Sequence, residues 1–562
     1  MAASLTRFVH GLHFNNLRGD FFGGLTAAIV ALPLALAFGV SSGAGPTAGL
    51  YGAICVGFFA ALFGGTPSQI SGPTGPMTVV MAGILSASNG DVVMTPAIAF
   101  TIVMLGGLFQ IIFGVLKLGK WITLMPYTVI SGFMSGIGAI IILLQLGPLL
   151  GVESGGKVID SILNIPYVLT HINPIAAGLG FLTLLIVFLA PPKLNKIVPA
   201  PLLALVICTL LSVVVFGDSD ISRIGSIQGG LPEFHLPVID GSQTRSILTF
   251  GLILATLGSI DSLLTSLVAD NITHTEHNSD RELIGQGIGN IIAGFLGGLP
   301  GAGATMRTVI NVQTGGKTPL SGMVHALVLL FVMIQAKGLT EPIPNAVLAG
   351  ILFKVGIDII DWGFLKRAHK LSPKGAGVMY LVLGLTVFVD LITAVAVGVF
   401  LANMLTIQNL TAVQAEEMKT ISSPEEAEQL DDEEKEILKQ AGGRILMFCL
   451  SGPMSFGAAK TISQRLSIVK NYEVLILDVT QVSRIGVTAL LALENIIKDS
   501  LNKQRQVLVL GVHGHAKEKL DRLDIIQQMP PIHFPMSRSF ALKAAMSFLN
   551  AEDEPVPAEV ME

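Results

Sequence analysis

The chain has 562 residues, 51% of them apolar and only 13% charged, with a formal net charge of −5; a soluble domain usually carries about 25% charged residues. Mean hydropathy is +0.70, which argues against a soluble enzyme, a disordered chain or a nucleic-acid binder. The charges are uneven. Residues 1–410 hold 18 Lys+Arg and 17 Asp+Glu, whereas the much shorter stretch 411–562 holds 16 and 22, so a membrane domain is expected to precede a soluble one.

Residues 1–20 read as a short cytoplasmic segment. No charged leader with a cleavage site opens the chain, so the first apolar segment is expected to be retained. Apolar runs of spanning length, about 20 residues each, recur over the transport domain 21–408. The clear ones lie near 21–44, 46–64, 92–115, 127–150, 174–191, 198–216, 246–270, 320–338, 343–358, 374–390 and 391–408, with weaker ones at 68–87, 158–170, 281–299 and 301–314. Hydropathy alone gives 12 to 14 spans. With 14, the cations Arg7, Arg18, Lys117, Lys120, Lys193, Lys196, Lys317, Lys366, Arg367, Lys370 and Lys374 fall on one side with both termini, and Lys337 is the exception. By the positive-inside rule that side is the cytoplasm. The polar stretch 217–245 becomes the main external segment.

Residues 409–442 read as a solvated acidic linker with some helix, carrying Glu425-Glu426 and Asp431-Asp432-Glu433-Glu434. Over 443–550 the pattern changes. Arg444–Leu450, Val474–Val479 and Val507–Val512 read as strands and Val487–Lys498 as a helix, which predicts a small α/β domain. An acidic tail, 551–562, follows. Cys55, Cys208 and Cys449 lie far apart and imply no disulfide framework.

Two distant stretches share one local grammar. Gly64-Gly65-Thr66-Pro67 leads through Ser71, Gly72, Pro73, Thr74, Gly75 and Pro76 into Thr78-Val79-Val80. Gly297-Gly298-Leu299-Pro300 leads through Gly301, Gly303 and Thr305 into Thr308-Val309-Ile310. Gly and Pro at this density do not sustain a spanning helix. In lipid, irregular backbone is tolerated where protein buries it or it lines a cavity, and paired interrupted segments point to a transporter site near the midplane. Half-helices are expected to start near Thr74 and Thr305. Their free N–H groups and positive ends would converge on an anion, with donors from Ser71, Thr74, Thr305 and Thr308.

Asp261 lies inside an apolar span and Thr265, four residues on, shares its face. A carboxylate in the membrane requires a partner. With a hydroxyl and unwound carbonyls it forms a hard oxygen site for Na⁺; alternatively it carries a proton, or pairs with Arg307. Arg307, just inside the second half-helix, either binds the anion or neutralises Asp261 or a carbonyl. The loop His274-Thr275-Glu276-His277 reads as solvated rather than metal-binding. No Walker A, nucleophile-elbow or His-Glu-x-x-His motif appears, so neither catalysis nor ATP-driven transport is indicated.

Residues Ala31 to Gly39, the Pro73-Thr74-Gly75-Pro76 break and Met125 to Phe133 resemble the SulP anion permeases, relatives of animal solute carrier family 26. The likeness covers nearly the whole chain. Thr275-Glu276-His277-Asn278, Glu282 to Gly287 and Gly301 to Met306 are similar to the cyanobacterial-type sodium-dependent bicarbonate transporters within that family, the BicA branch. The resemblance implies 14 spans in 7+7 inverted repeats, core and gate domains, elevator-like alternating access, and a homodimer in a bacterial inner membrane, with membrane lipids around it. It maps sodium onto Asp261, Thr265, Gly303 and Thr305, and bicarbonate onto Thr74, Ala304 and Thr305, with Phe38 lining the anion pocket. The chain departs from the pattern where Gly72 replaces a glutamate and Arg307 a glycine. Arginine at that place also occurs in sulfate-type and dicarboxylate-type members.

The soluble region resembles a STAS domain. Thr488 occupies the place of its phosphorylatable serine, but Gly486-Val487 replace the preceding Asp-Ser. The functional expectation is Na⁺-coupled bicarbonate uptake with no cofactor beyond the coupling ion. The alternatives are a proton-coupled sulfate or dicarboxylate permease, an uncoupled anion channel, and a membrane receptor signalling to a cytoplasmic regulator through STAS.

Overall fold

The computed structural model describes residues 9–550 apart from 87, 90–91, 94, 123–124, 153–157, 192–197, 218, 225–233, 239–242, 336–340, 418, 424–429, 455–470 and 523–528. The chain divides into two compact units, with the division between Ala402 and Asn403. Lys193, Lys196, Lys337, most of the stretch 225–242 and the tail 551–562 lie outside the described residues.

Among the described residues, the first unit contains fourteen helices of nine residues or more. The first seven are α1 (Leu17–Ser42), α2 (Pro46–Phe63), α3 (Gly75–Leu85), α4 (Pro96–Val115), α5 (Tyr127–Leu149), α6 (Pro174–Leu189) and α7 (Ala200–Val214). The second seven are α8 (Thr244–Thr273), α9 (Ser279–Phe295), α10 (Thr305–Gln313), α11 (Pro319–Gln335), α12 (Asn345–Ile359), α13 (Pro373–Phe388) and α14 (Leu391–Glu417), the last crossing the division. The third member of each set is short and preceded by a two-residue strand, β1 (Ser71–Gly72) before α3 and β2 (Ala302–Gly303) before α10. Of the weaker apolar segments, 68–87, 281–299 and 301–314 correspond to members of this set. The segment 158–170 does not, because Pro166 and a break at Asn164 divide it into two six-residue helices, Val158–Leu163 and Ile165–Thr170.

The helix starts are well specified. Proline at the first or second position opens α2, α4, α6 and α13, where its missing N–H is no loss. The side chains of Thr95, Asn173, Asn278 and Ser372 accept first-turn N–H groups of α4, α6, α9 and α13, which satisfies donors that no intrahelical carbonyl reaches. Neither Thr74 before α3 nor Ala304 before α10 makes such a cap.

The second unit contains β3 (Lys419–Ile421), α15 (Asp432–Ala441), β4 (Ile445–Met454), β5 (Val474–Ile485), α16 (Val487–Asn502), β6 (Gln506–Leu510) and α17 (Arg538–Asn550). The sheet order is β3-β4-β5-β6, with β4, β5 and β6 parallel and β3 antiparallel at the edge. Alternate residues serve two apolar cores, Leu446, Phe448, Leu475 and Leu477 on one face and Ile445, Met447, Val474 and Ile476 on the other. That is the double burial expected of parallel strands. The acidic segment 409–442 is more than a connection. It supplies β3 and α15, and Ile421, Leu430, Leu438 and Ala441 enter the second core. The acidic residues at its helix start are used as well, because Asp431 and Glu434 form a capping box on α15.

Candidate transport site

The two interrupted segments meet. β1 and β2 pair antiparallel, Ser71 opposite Gly303 and Gly72 opposite Ala302. The Ala304 N–H donates to the Ile70 carbonyl at 2.8 Å, and the Ile70 N–H donates to Thr308 Oγ1 at 3.0 Å. Each segment satisfies the other's backbone, as the absence of water in a bilayer core requires. α3 and α10 start directly after these strands, so two uncapped helix N-termini flank one short ladder.

Polar side chains from α8 and α9 hold the ladder. Asn290 binds both backbone groups of Gly301, donating to its carbonyl at 2.9 Å and accepting its N–H at 2.8 Å. The Gly303 N–H donates to Ser262 Oγ at 3.0 Å. A Cβ on Gly303 would fall on the Gln69 side-chain amide, so a larger residue there has to displace Gln69 from its hydrogen bonds with Glu282 and Ser266.

Glu282 is the buried hub of this support. Its Oε2 accepts the Gly65 and Thr66 N–H groups, each at 2.9 Å. Its Oε1 accepts the Gln69 and Gln286 amides, each at 2.8 Å. Gln69 Oε1 in turn accepts the Ser266 hydroxyl at 3.0 Å. Asp20 does similar work for the turn after α10, accepting the Lys317 and Thr318 N–H groups at 2.8 and 2.9 Å.

At the centre, Thr265 donates to the Gly303 carbonyl at 3.0 Å and lies 2.8 Å from the Thr305 hydroxyl. Asp261 is buried one turn away on the same face of α8. The Thr74 hydroxyl and the Arg307 guanidinium are polar neighbours of its carboxylate, Thr74 as a hydrogen-bonding group and Arg307 as a charge. Yet Thr74 Oγ1 and Asp261 Oδ2 are both buried without a hydrogen-bond partner among the described residues. Such orphans are costly unless something binds there.

Arg307 is buried and donates from Nη2 to the Pro73 carbonyl. Of the partners expected for it, the Pro73 carbonyl takes its hydrogen bond, and Asp261 is near enough for the two charges to interact. Its Nη1 lies 2.8 Å from where a Cβ on Gly72 would stand, and Gly72 has φ +153°. A side chain at 72 would occupy the guanidinium's space, so the two departures noted in the sequence form one packing unit. Phe38 is buried on α1, which packs on α3.

The sulfate permease family model matches residues 17–382, and the STAS domain model matches residues 436–539. The chain belongs to the sulfate permease family. It is 53% identical over 542 residues to the bicarbonate transporter BicA of Picosynechococcus sp., covering 95% of this chain and 96% of that one. The solved transmembrane domain of a cyanobacterial bicarbonate transporter BicA is 57% identical, with a TM-score of 0.65, covering 69% of this chain and 99% of that one. Murine solute carrier 26 family member A9, in its inward-facing state, shares the fold at 18% identity, with a TM-score of 0.79 and 97% and 95% coverage. This permease is therefore a multi-pass membrane transporter with a C-terminal STAS domain, and not an enzyme.

Thr488 belongs to the second unit, where it is exposed in the first turn of α16. In the loop after α8, His277 Nδ1 lies 2.6 Å from Asp270 Oδ2 and its Nε2 lies 2.9 Å from Ser279 Oγ, so that histidine is engaged locally. Sequence reasoning assigned no role to Gln69, Ser262, Ser266, Glu282, Gln286 and Asn290. Their signal was spacing: Glu282, Gln286 and Asn290 recur every four residues along α9, as do Ser262 and Ser266 on α8.

Proposed function

We propose that this permease imports bicarbonate coupled to Na⁺ by an elevator-like alternating-access mechanism. The observation that carries the reading is the pair of buried, neighbouring oxygens, Asp261 Oδ2 and Thr74 Oγ1, that make no regular hydrogen bond among the described residues and lie beside two uncapped helix N-termini. The likeness to bicarbonate transporters along nearly the whole chain supports the choice of anion.

Na⁺ is a hard cation that takes oxygen ligands. Asp261, Thr265, Thr305 and the Gly303 carbonyl form such a set, with the carboxylate supplying the charge. Bicarbonate sits between the starts of α3 and α10, where first-turn N–H groups and the helix dipoles favour negative charge. The contributing residues are Thr74, Ala304 and Thr305, with Phe38 as an apolar wall and the Arg307 guanidinium as a fixed positive charge behind Pro73. Na⁺ at Asp261 cancels the carboxylate's repulsion of the anion, and this is the physical basis of coupling: each ion favours the other's binding. The permease acts as a homodimer in a bacterial inner membrane, with lipids around it and both termini cytoplasmic. Thr488 on the STAS domain fits a packing or dimer-contact role better than phosphorylation, because Gly486-Val487 replace the Asp-Ser that precedes the phosphorylatable serine.

The test is uptake of radiolabelled bicarbonate and sulfate into proteoliposomes, with and without an inward Na⁺ gradient. Bicarbonate accumulation that requires Na⁺ is expected, and Asp261→Ala abolishes it while leaving a folded protein. Sulfate uptake indifferent to Na⁺ would instead make Asp261 a proton carrier. Flux without accumulation would indicate a channel, and absence of flux a receptor.

A further inference from the structure

The start of α3 has a second neighbour besides the ladder. A Cβ on Gly75, its first residue, would stand 2.8 Å from Ile141 Cδ1, 3.0 Å from Ile359 Cδ1 and 3.8 Å from Ile137 Cγ2. Ile137 and Ile141 lie one turn apart on α5, both buried, and Ile359 ends α12, which packs on α5. Three isoleucines thus abut the helix N-terminus that faces the anion. Glycine at 75 is what lets them approach so closely.

The start of α10 is different. Thr305 is half-buried and Met306 is 59% exposed. The anion region therefore has a hydroxyl, that of Thr305, at the start of α10 and saturated hydrocarbon at the start of α3. Pro76 strengthens the contrast, because it contributes no N–H to the first turn of α3.

An ion beside hydrocarbon loses hydration without compensation. The Born cost of that loss scales with the square of the charge, so a dianion is penalised about four times as heavily as a monoanion. The two candidate substrates differ in this respect, since bicarbonate carries one charge and sulfate two. We propose that Ile137, Ile141 and Ile359 form a specificity-determining wall that admits monovalent anions and rejects divalent ones. The proposal rests on the bicarbonate reading above and supplies its selectivity.

The test measures the sulfate-to-bicarbonate uptake ratio in proteoliposomes of the full chain. Ile141→Thr places a hydroxyl on the wall, whereas Ile141→Val removes a methyl without adding one. The ratio is expected to rise in Ile141→Thr about tenfold above that in Ile141→Val, as one added hydrogen bond to an anion allows. Ile359→Thr, at a less buried site, is expected to act in the same direction and covers the case in which Ile141→Thr fails to fold. Bicarbonate uptake with an unchanged ratio in the folded threonine variants overturns the wall alone. Wild-type preference for sulfate overturns both the wall and the bicarbonate reading.

Discussion

Replacing Glu282 tests how the site is supported. Glu282→Ala removes the acceptor for four donors: the Gly65 and Thr66 N–H groups and the Gln69 and Gln286 amides. Gln286 keeps a second partner in Ser71 Oγ at 2.6 Å, so three donors are left buried and unpaired. Each costs about 1–3 kcal/mol. Removing a buried carboxylate returns part of that, so the net loss is about 3–6 kcal/mol. Glu282→Gln keeps one oxygen, which can serve the two rigid backbone donors while the glutamine side chains re-pair, and the loss falls to about 1–3 kcal/mol. Cys55 and Cys208 are buried free thiols, so a thiol-reactive fluorophore reports unfolding of the purified protein on heating. Because such unfolding is often irreversible, the order of melting temperatures at one scan rate is the readout. The expected order is wild type, then Glu282→Gln, then Glu282→Ala. The Gln variant is also expected to need more Na⁺, since Gln69 lies against Gly303. An alanine variant that melts with the wild type would refute the assignment of Glu282 as the hub.

Two further outcomes follow from the same geometry. Thr265→Val keeps the shape but removes the hydroxyl shared with Gly303 and Thr305; half-saturating Na⁺ in the uptake assay is expected to rise about tenfold, and an unchanged value would remove Thr265 from the cation site. In the STAS domain, Arg538 Nη2 donates to the buried Asp478 at 2.9 Å. Burial alone would lower the guanidinium's pKa, but the hydrogen bond and charge of Asp478 raise it above its usual value. Arg538→Ala is expected to destabilise that unit by about 2 kcal/mol, read as faster labelling of Cys449 with slow labelling of Cys55 and Cys208 retained. Equal Cys449 rates would show that the pair contributes nothing.

What was legible in the sequence was whatever repeats at short range. The Gly-Gly-x-Pro stretches announced two half-helices because Gly and Pro act on their own backbone, and the starts at Gly75 and Thr305 follow directly. Asp261 and Thr265 stood out because a carboxylate in an apolar helix is expensive and a four-residue step shares its face, but Thr265 turns to Gly303 and Thr305, which local spacing could not show. The acidic run 409–442 misled in part, because composition reports net polarity and not the period that buries Ile421, Leu430 and Leu438.

The rest of the site is built across more than 200 residues of chain, where local pattern has no reach. Ser71 opposite Gly303, Glu282 on Gly65, and Arg307 on Pro73 are each contacts between the two halves. Arg307 makes the point most clearly. Read alone, its charge had three plausible partners, and nothing in its own helix chooses among them. The choice depends on Gly72, because the volume left by a missing side chain on one half is the volume that the guanidinium fills from the other. A substitution at either position is therefore a change in both, and restoring a large side chain at 72 displaces the guanidinium from Pro73. On the proposed reading, the charge beside the anion is set jointly by two residues that the sequence keeps far apart, so the effect of Arg307 has to be read together with position 72.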